Sequence, residues 1–345
     1  MDNLKKYYKN KNVLITGGAS FIGSHLAEYL VTFGSKIKII DNLSSGKEKN
    51  LSTIIDDIEF IEDDVRNEDT INKHTKNIDY VFNLAAMHGG RGYIETHPVE
   101  SVNNMVLDHI VFSNASKNSV EKIVHASSAC VYPTNLQDSE TERNYLKEED
   151  ANFIEPGKAF SDGEYGWAKL MGELQLQAFN KQYGITGVAS RIFTAYGERE
   201  NETHAAIALI AKAALKIDPY PIWGDGLQTR NFTYVKDTVK GLALSGTIEG
   251  GFQALNIGSS KHNTVIELCE IIFNTLNWEP KNIDFQLDRP VGVKSRASDN
   301  TKIIELFNWE PETSLEDGVK STADWYIENL DREKLKDLEN LLLEH

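Results

Sequence analysis

A glycine-rich turn set between two patterned runs restricts the fold of this chain more than any other feature. The β-branched run Val13-Leu14-Ile15-Thr16 leads into Gly17-Gly18-Ala19-Ser20-Phe21-Ile22-Gly23, and an amphipathic stretch continues to about residue 32. A continuous apolar strand suits a sheet covered on both faces. Glycines at a strand-to-helix turn let the backbone approach a pyrophosphate, which then rests on the helix N-terminus. Gly17, Ser20, Phe21, Ile22 and Gly23 are therefore candidates for holding a dinucleotide. Ser20 takes the place of a customary glycine, and its small hydroxyl can donate to phosphate. The next β-branched run ends at Asp41, close to the ~20-residue spacing of a ribose-binding acid. A carboxylate there accepts from a 2′-hydroxyl and repels a 2′-phosphate, so the expected cofactor is NAD.

The turn sits in an alternation that extends over the first half of the chain. Strands are expected at 13–16, 36–40, 58–61, 80–83, 122–127 and 187–191, with helices at 21–32, 68–76, 99–117 and 161–183. Alternation of this kind predicts a doubly wound parallel α/β sheet. We read 1–191 as the dinucleotide-binding unit, with a later return near 230–260, and 192–330 as mainly a smaller α/β substrate lobe. Helices are expected there near 205–216, 265–276 and 315–329. The acidic segment 138–156 reads as a surface excursion, and 343–345 as the remnant of a purification tag.

Composition narrows the partners. A net charge of −16 disfavours a nucleic-acid backbone. No apolar run reaches the ~18 residues that a membrane helix needs. Two cysteines, Cys130 and Cys269, make no disulfide framework, which fits a reducing cytoplasm. The nine histidines do not pair with cysteines or acids at metal-ligand spacings, so no metal is expected.

Tyr165-Gly166-Trp167-Ala168-Lys169 places a phenol and an ammonium four residues apart on one helix face. A phenol is a poor base at neutral pH; a neighbouring cation and a charged nicotinamide ring both favour its phenolate. With the dinucleotide turn upstream, the pair points to hydride-transfer chemistry.

On these residues the chain resembles the extended short-chain dehydrogenase/reductases, the family of nucleotide-sugar epimerases and dehydratases. The likeness runs from about Asn12 to Asn329 and includes Asp64-Val65, Asn83-Leu84-Ala85-Ala86, Ser127-Ser128-Ala129-Cys130-Val131-Tyr132 and the stretch 224–232. The resemblance implies that Asp64 and Val65 meet the adenine and that Leu84, Ala85 and Ala86 line the cofactor. It implies that Ser128 bonds the sugar hydroxyl that Tyr165 deprotonates, while Lys169 holds the cofactor ribose. Gln228 falls on the substrate side, and Arg230 and Arg296 would clamp the diphosphate. It also implies a homodimer formed through the helices at 99–117 and 161–183.

Within that family, dehydratases carry Asp-Glu where this chain has Ala129-Cys130, which disfavours elimination of water. The Ser127–Pro133 segment and the loop 87–94, Gly89 included, resemble the GDP-mannose 3,5-epimerase branch. Cys130 then becomes an acid/base at C3 or C5 of a 4-keto sugar. The branch's second acid/base is a lysine, and an ungapped comparison places His204 there. Thr194 stands where the family has a substrate-contacting asparagine. The expected reaction is redox-neutral epimerisation of a GDP-mannose-like substrate with bound NAD. The alternatives are a UDP-sugar 4-epimerase, a C4 oxidase or reductase, or a dinucleotide sensor, which retention of Tyr165 and Lys169 disfavours.

Overall fold

The computed structural model describes residues 2–330; the segment 343–345 lies outside them. Seven parallel strands form the central sheet: β1 (Asn12–Thr16), β2 (Lys36–Asp41), β3 (Ile58–Glu62), β4 (Tyr80–Asn83), β5 (Lys122–Ser128), β6 (Thr186–Ile192) and β7 (Phe252–Ile257). Their order across the sheet is β7-β6-β5-β4-β1-β2-β3. The order reverses between β1 and β4, and in open sheets ligands bind outside the carboxyl ends of the strands at such a point.

The pleat sorts the strand residues into two cores. Val13, Ile15, Ile37, Ile39, Tyr80 and Phe82 join a core with Leu26 and Leu30 of α2 (Phe21–Val31). Leu14, Ile40, Val81 and Ile123 face the other way, onto Ile71 of α3 (Glu68–His74). The same second core takes Val111 and Phe112 of α4 (Pro98–Lys117) and Leu176 of α5 (Gly163–Tyr183). Both faces of the sheet are thereby covered, as its near-continuous apolar strands require.

After residue 192 the chain divides its work. α6 (Ala205–Ala214), α8 (Val265–Leu276) and α9 (Leu315–Asn329) pack on one another, and a short parallel pair joins Tyr220–Trp223 to Ile283–Gln286. Between them, α7 (Val235–Ser245) and β7 return to the central sheet, β7 pairing in register with β6. The polar Asn256 interrupts the apolar pattern of β7. Its amide donates to the Leu146 carbonyl and its oxygen accepts from the Tyr132 hydroxyl, so burial there leaves neither group without a partner.

Most of the segment 138–156 is exposed, as a surface excursion is, and it is pinned to the body of the molecule at a few points. Leu146 and Ala151 are buried, and the Arg191 guanidinium donates to the carbonyls of Glu148 and Ala151. The same guanidinium pairs with Glu173 on α5 at 2.8 Å in a fully buried ion pair. The Glu148 carboxylate adds a further anchor, accepting from the Asn256 backbone amide at 2.8 Å.

Candidate active site

Gly17 ends β1 with φ +69°, and a Cβ there would lie 2.9 Å from the Ala85 nitrogen. At Gly23 a Cβ would lie 2.2 Å from the Gly17 carbonyl oxygen, so the first turn of α2 reaches the strand end only without a side chain. The Ser20 hydroxyl donates to the Gly17 carbonyl at 2.5 Å; it closes the turn where phosphate donation was expected. Asp41 is buried, and its two oxygens accept from the Ala19 and Leu43 amides at 2.9 Å each. Burial pushes its pKa up, and these two amides oppose the shift. Asp64 is fixed by a fork from Arg66 and by the Asn42 amide, and these hydrogen bonds hold it far below the usual carboxylate range despite some burial.

These groups line an open cleft together with Gly17, Ser20, Val65, Leu84, Ala85 and Ala86. The side chains of Phe21 and Ile22 pack against the first core, and their backbone forms the first turn of α2. The glycine cradle, the anchored Asp41 and the adjacent helix N-terminus together fit a dinucleotide. Among the described residues, no group of three or more His, Cys, Asp or Glu side chains is placed to hold a metal ion.

Tyr165 and Lys169 sit at the start of α5. A Cβ on Gly166 would lie 2.3 Å from the Cys130 carbonyl, and the Asp162 amide donates to that carbonyl at 2.9 Å. The first turn of α5 is thus pressed onto the loop after β5, which brings Tyr165 beside Ser128 and Cys130. Tyr165 is buried, with the Lys169 ammonium 5.9 Å from its ring centre. Burial raises the phenol's pKa well above its ordinary value; the Cys130 thiol and Asp108 add to the rise, and a hydrogen bond with Ser128 opposes it. Desolvation is the largest influence on the phenol. Lys169 itself is lowered by burial, with Asp108 opposing.

Cys130 is half-buried. Its amide donates to the Ser128 hydroxyl, and the Arg296 guanidinium donates to its sulfur at 3.4 Å. Arg296 also donates to Gln137 and pairs with Asp162, which pairs in turn with Arg91. Arg230 donates to the carbonyls of Thr229 and Val291. Burial and the neighbouring Arg296 pull its pKa down to about 9, so this cluster favours an incoming anion. Gln228 donates to the Trp223 carbonyl and leaves its oxygen without a partner.

His204 caps the N-terminus of α6, and its Nδ1 lies 3.0 Å from Glu200 Oε1. The Glu200 side chain is 2% exposed. The His204 ring packs edge-on against His88 at 5.1 Å, and His88 stacks on Tyr165 at 4.9 Å. The glycine loop makes this approach possible: a Cβ on Gly90 would lie 1.8 Å from the Thr203 carbonyl, and one on Gly89 would lie 2.6 Å from the Tyr93 Cβ. Thr194 holds this segment to 233 through its carbonyl. Sequence reasoning missed Glu200, His88 and Arg91. Glu200 lies four residues before His204, a spacing that reads as a pair only when the backbone between is known.

The fold and this cleft define a class. The chain belongs to the NAD-dependent epimerase/dehydratase family, whose model matches residues 13–258. It uses NAD and has nucleotide-sugar epimerase/dehydratase-type activity. Among its relatives, the GDP-mannose 3,5-epimerase of Arabidopsis thaliana is 33% identical over 340 residues, covering 96% of this chain and 87% of that protein. A putative UDP-glucose 4-epimerase of Methanocaldococcus jannaschii is 32% identical over 323 residues, covering 92% and 99%. Among solved structures, the UDP-glucose 4-epimerase of Thermotoga maritima with UDP-glucose superposes with a TM-score of 0.81 at 26% identity, covering 93% of this chain and all of that one.

Proposed function

We propose that this enzyme epimerises a GDP-mannose-like nucleotide sugar at C3, C5 or both through a transient 4-keto intermediate. The observation that carries this reading is the gathering of a thiol and a carboxylate-anchored imidazole around one phenol: Cys130 directly beside Tyr165, and His204 one ring beyond it. Hydride transfer alone needs no acid/base beyond the phenol. Bound NAD supplies the hydride acceptor, a positive ring that favours the phenolate, and the hydride that restores the alcohol.

Tyr165 takes the proton of the O4 hydroxyl, and Ser128 positions that oxygen. The ketone so formed acidifies the protons at C3 and C5. One of Cys130 and His204 removes such a proton, and the other returns one to the opposite face. Glu200 fixes the imidazole tautomer and supports its protonated form. Arg230 and Arg296 bind the diphosphate, with Asp162 released from Arg296 as the anion arrives.

A UDP-sugar 4-epimerase is the second reading, supported by the Methanocaldococcus jannaschii and Thermotoga maritima relatives. The two separate in an NMR time course with GDP-mannose in deuterated buffer. Deuterium at C3 or C5, falling at least ~100-fold in Cys130→Ala, is the expected result. Its absence with GDP-mannose, and C4 inversion of a UDP-sugar without deuterium, would replace this reading by the second.

We also propose a homodimer joined through α4 and α5, whose outer faces carry the exposed apolar residues Val99, Val106, Trp167 and Leu174. Static light scattering at twice the chain mass is expected; a single chain mass refutes it.

A further inference from the structure

Asp162 stands immediately before α5, where a side-chain oxygen ordinarily accepts from the amides of a helix's first turn, yet it makes no such bond. Its carboxylate is 7% exposed and lies between two guanidiniums from distant segments. Oδ1 accepts from Arg91 Nη1 at 2.9 Å, and Oδ2 accepts from Arg296 Nη2 at 3.0 Å. Burial alone would raise its pKa; Arg296 and then Arg91 bring it below its ordinary value. At neutral pH it is therefore an anion held inside the substrate cleft.

The two arginines are placed differently. Arg296 is buried, and its other two nitrogens donate to Gln137 and to the Cys130 sulfur, so with Asp162 present each of the three has a partner. The Arg91 side chain is 30% exposed, pairs with Glu95, and keeps a buried Nε without a partner. It has donor capacity to spare. The turn at Gly292, with φ +70°, lies on this guanidinium: a Cβ there would be 3.3 Å from Arg91 Nη1. The same loop gives the Val291 carbonyl to Arg230, which bonds two carbonyls and, among the described residues, pairs with no carboxylate.

We propose that Asp162 is a positioning residue with two stations. In the empty site it screens Arg296, and when the diphosphate of the substrate displaces it, Arg91 takes the whole carboxylate. The inference rests on the reading of Arg230 and Arg296 as the diphosphate clamp. A buried guanidinium left alone is costly, so the internal anion keeps Arg296 paired and aligned until the external one arrives. Every binding event must first displace Asp162. The apparent affinity is then the intrinsic one reduced by the fraction of molecules in which Arg296 is free. Arg91 acts on the substrate only through that fraction.

The test is calorimetric titration of the NAD-bound enzyme with GDP, and with UDP as a second probe, since both carry the diphosphate and neither needs turnover. Asp162→Asn removes the competing charge and is expected to tighten binding ~10-fold; Arg91→Met leaves Asp162 on Arg296 alone and is expected to weaken it ~5-fold. In the Asp162→Asn background the effect of Arg91→Met is expected to vanish, to within about twofold. Should Asp162→Asn not fold, Asp162→Ser takes its place in both arms. Unchanged or weaker binding in Asp162→Asn would overturn the proposal. So would an equal loss from Arg91→Met in both backgrounds, which would make Arg91 a direct ligand of the anion. Arg230→Met separates these results from failure of the clamp. Binding that survives Arg230→Met undiminished, or that the unaltered enzyme lacks with both probes, removes the diphosphate reading and the proposal with it.

Discussion

At the cofactor end of the cleft, β1, the glycine turn and the start of α2 lie within a dozen consecutive residues, and they act mainly through backbone. Gly17 and Gly23 matter for the side chains they lack, and Asp41 is locked by two amides of its own neighbourhood. At the substrate end, the working groups come from positions 88, 130, 165, 200, 204, 230 and 296, and they act through side chains that hold one another. Arg296 touches Cys130, Gln137 and Asp162 at once, and Glu200 meets the cleft only through His204. A cradle built from local backbone geometry serves any dinucleotide chemistry. A constellation assembled from distant segments sets which carbon of which sugar is altered, and substitutions within it change outcome while leaving the cradle intact.

The sharpest way to break this contrast is at Gly23. A methyl group there collides with the Gly17 carbonyl at 2.2 Å, and the obstacle is backbone that cannot rotate away. α2 must withdraw from the strand end, and the amides that face a pyrophosphate withdraw with it. Gly23→Ala is expected to weaken NAD binding ~100-fold, about 2.7 kcal/mol, and to lose every downstream activity together. Calorimetric titration of NAD checks this. An unchanged affinity would show that the cradle tolerates movement and that Asp41 and the cleft walls carry the binding.

The same contrast decides which features are legible in the sequence alone. The turn, Asp41 and the Tyr165/Lys169 pair are local patterns with fixed spacing, so their chemistry follows from residue type and position. The parallel sheet follows from the alternation of apolar runs with helical ones. The state of Tyr165 does not, because desolvation depends on everything packed around the phenol, and here it is the largest influence on its pKa. Ser20 illustrates the same limit: a hydroxyl suited to phosphate turns inward to Gly17. Asp108 and His125 read as ordinary helix and strand residues, and only the approach of α4, α5 and β5 at Gly172 reveals a buried carboxylate beside a buried imidazole. Leu146 and Ala151 lie in an acidic stretch whose composition indicates solvent, yet Arg191 draws its carbonyls inward.

At the substrate end the corresponding substitution is smaller and selective. Glu200→Gln keeps an oxygen for His204 Nδ1 and changes almost no volume, so the fold and NAD affinity are expected to hold. What it removes is a buried negative charge, 3.0 Å from the imidazole, that stabilises the ring once it carries a second proton. Burial raises the Glu200 pKa, and the hydrogen bond with His204 opposes that rise. If His204 moves a proton at C3 or C5, deuterium incorporation at that carbon slows ~10-fold, about 1.4 kcal/mol, while formation of the 4-ketone keeps its rate. Single-turnover measurement of NADH absorbance beside NMR of the product separates the two steps. Equal slowing of both steps would place Glu200 in support of Tyr165 through the His88 stack, and no slowing of either would leave Cys130 to work with a different partner. Only selective loss of exchange joins Glu200 and His204 into one acid/base unit, and it would do so without disturbing the cradle at the other end of the cleft.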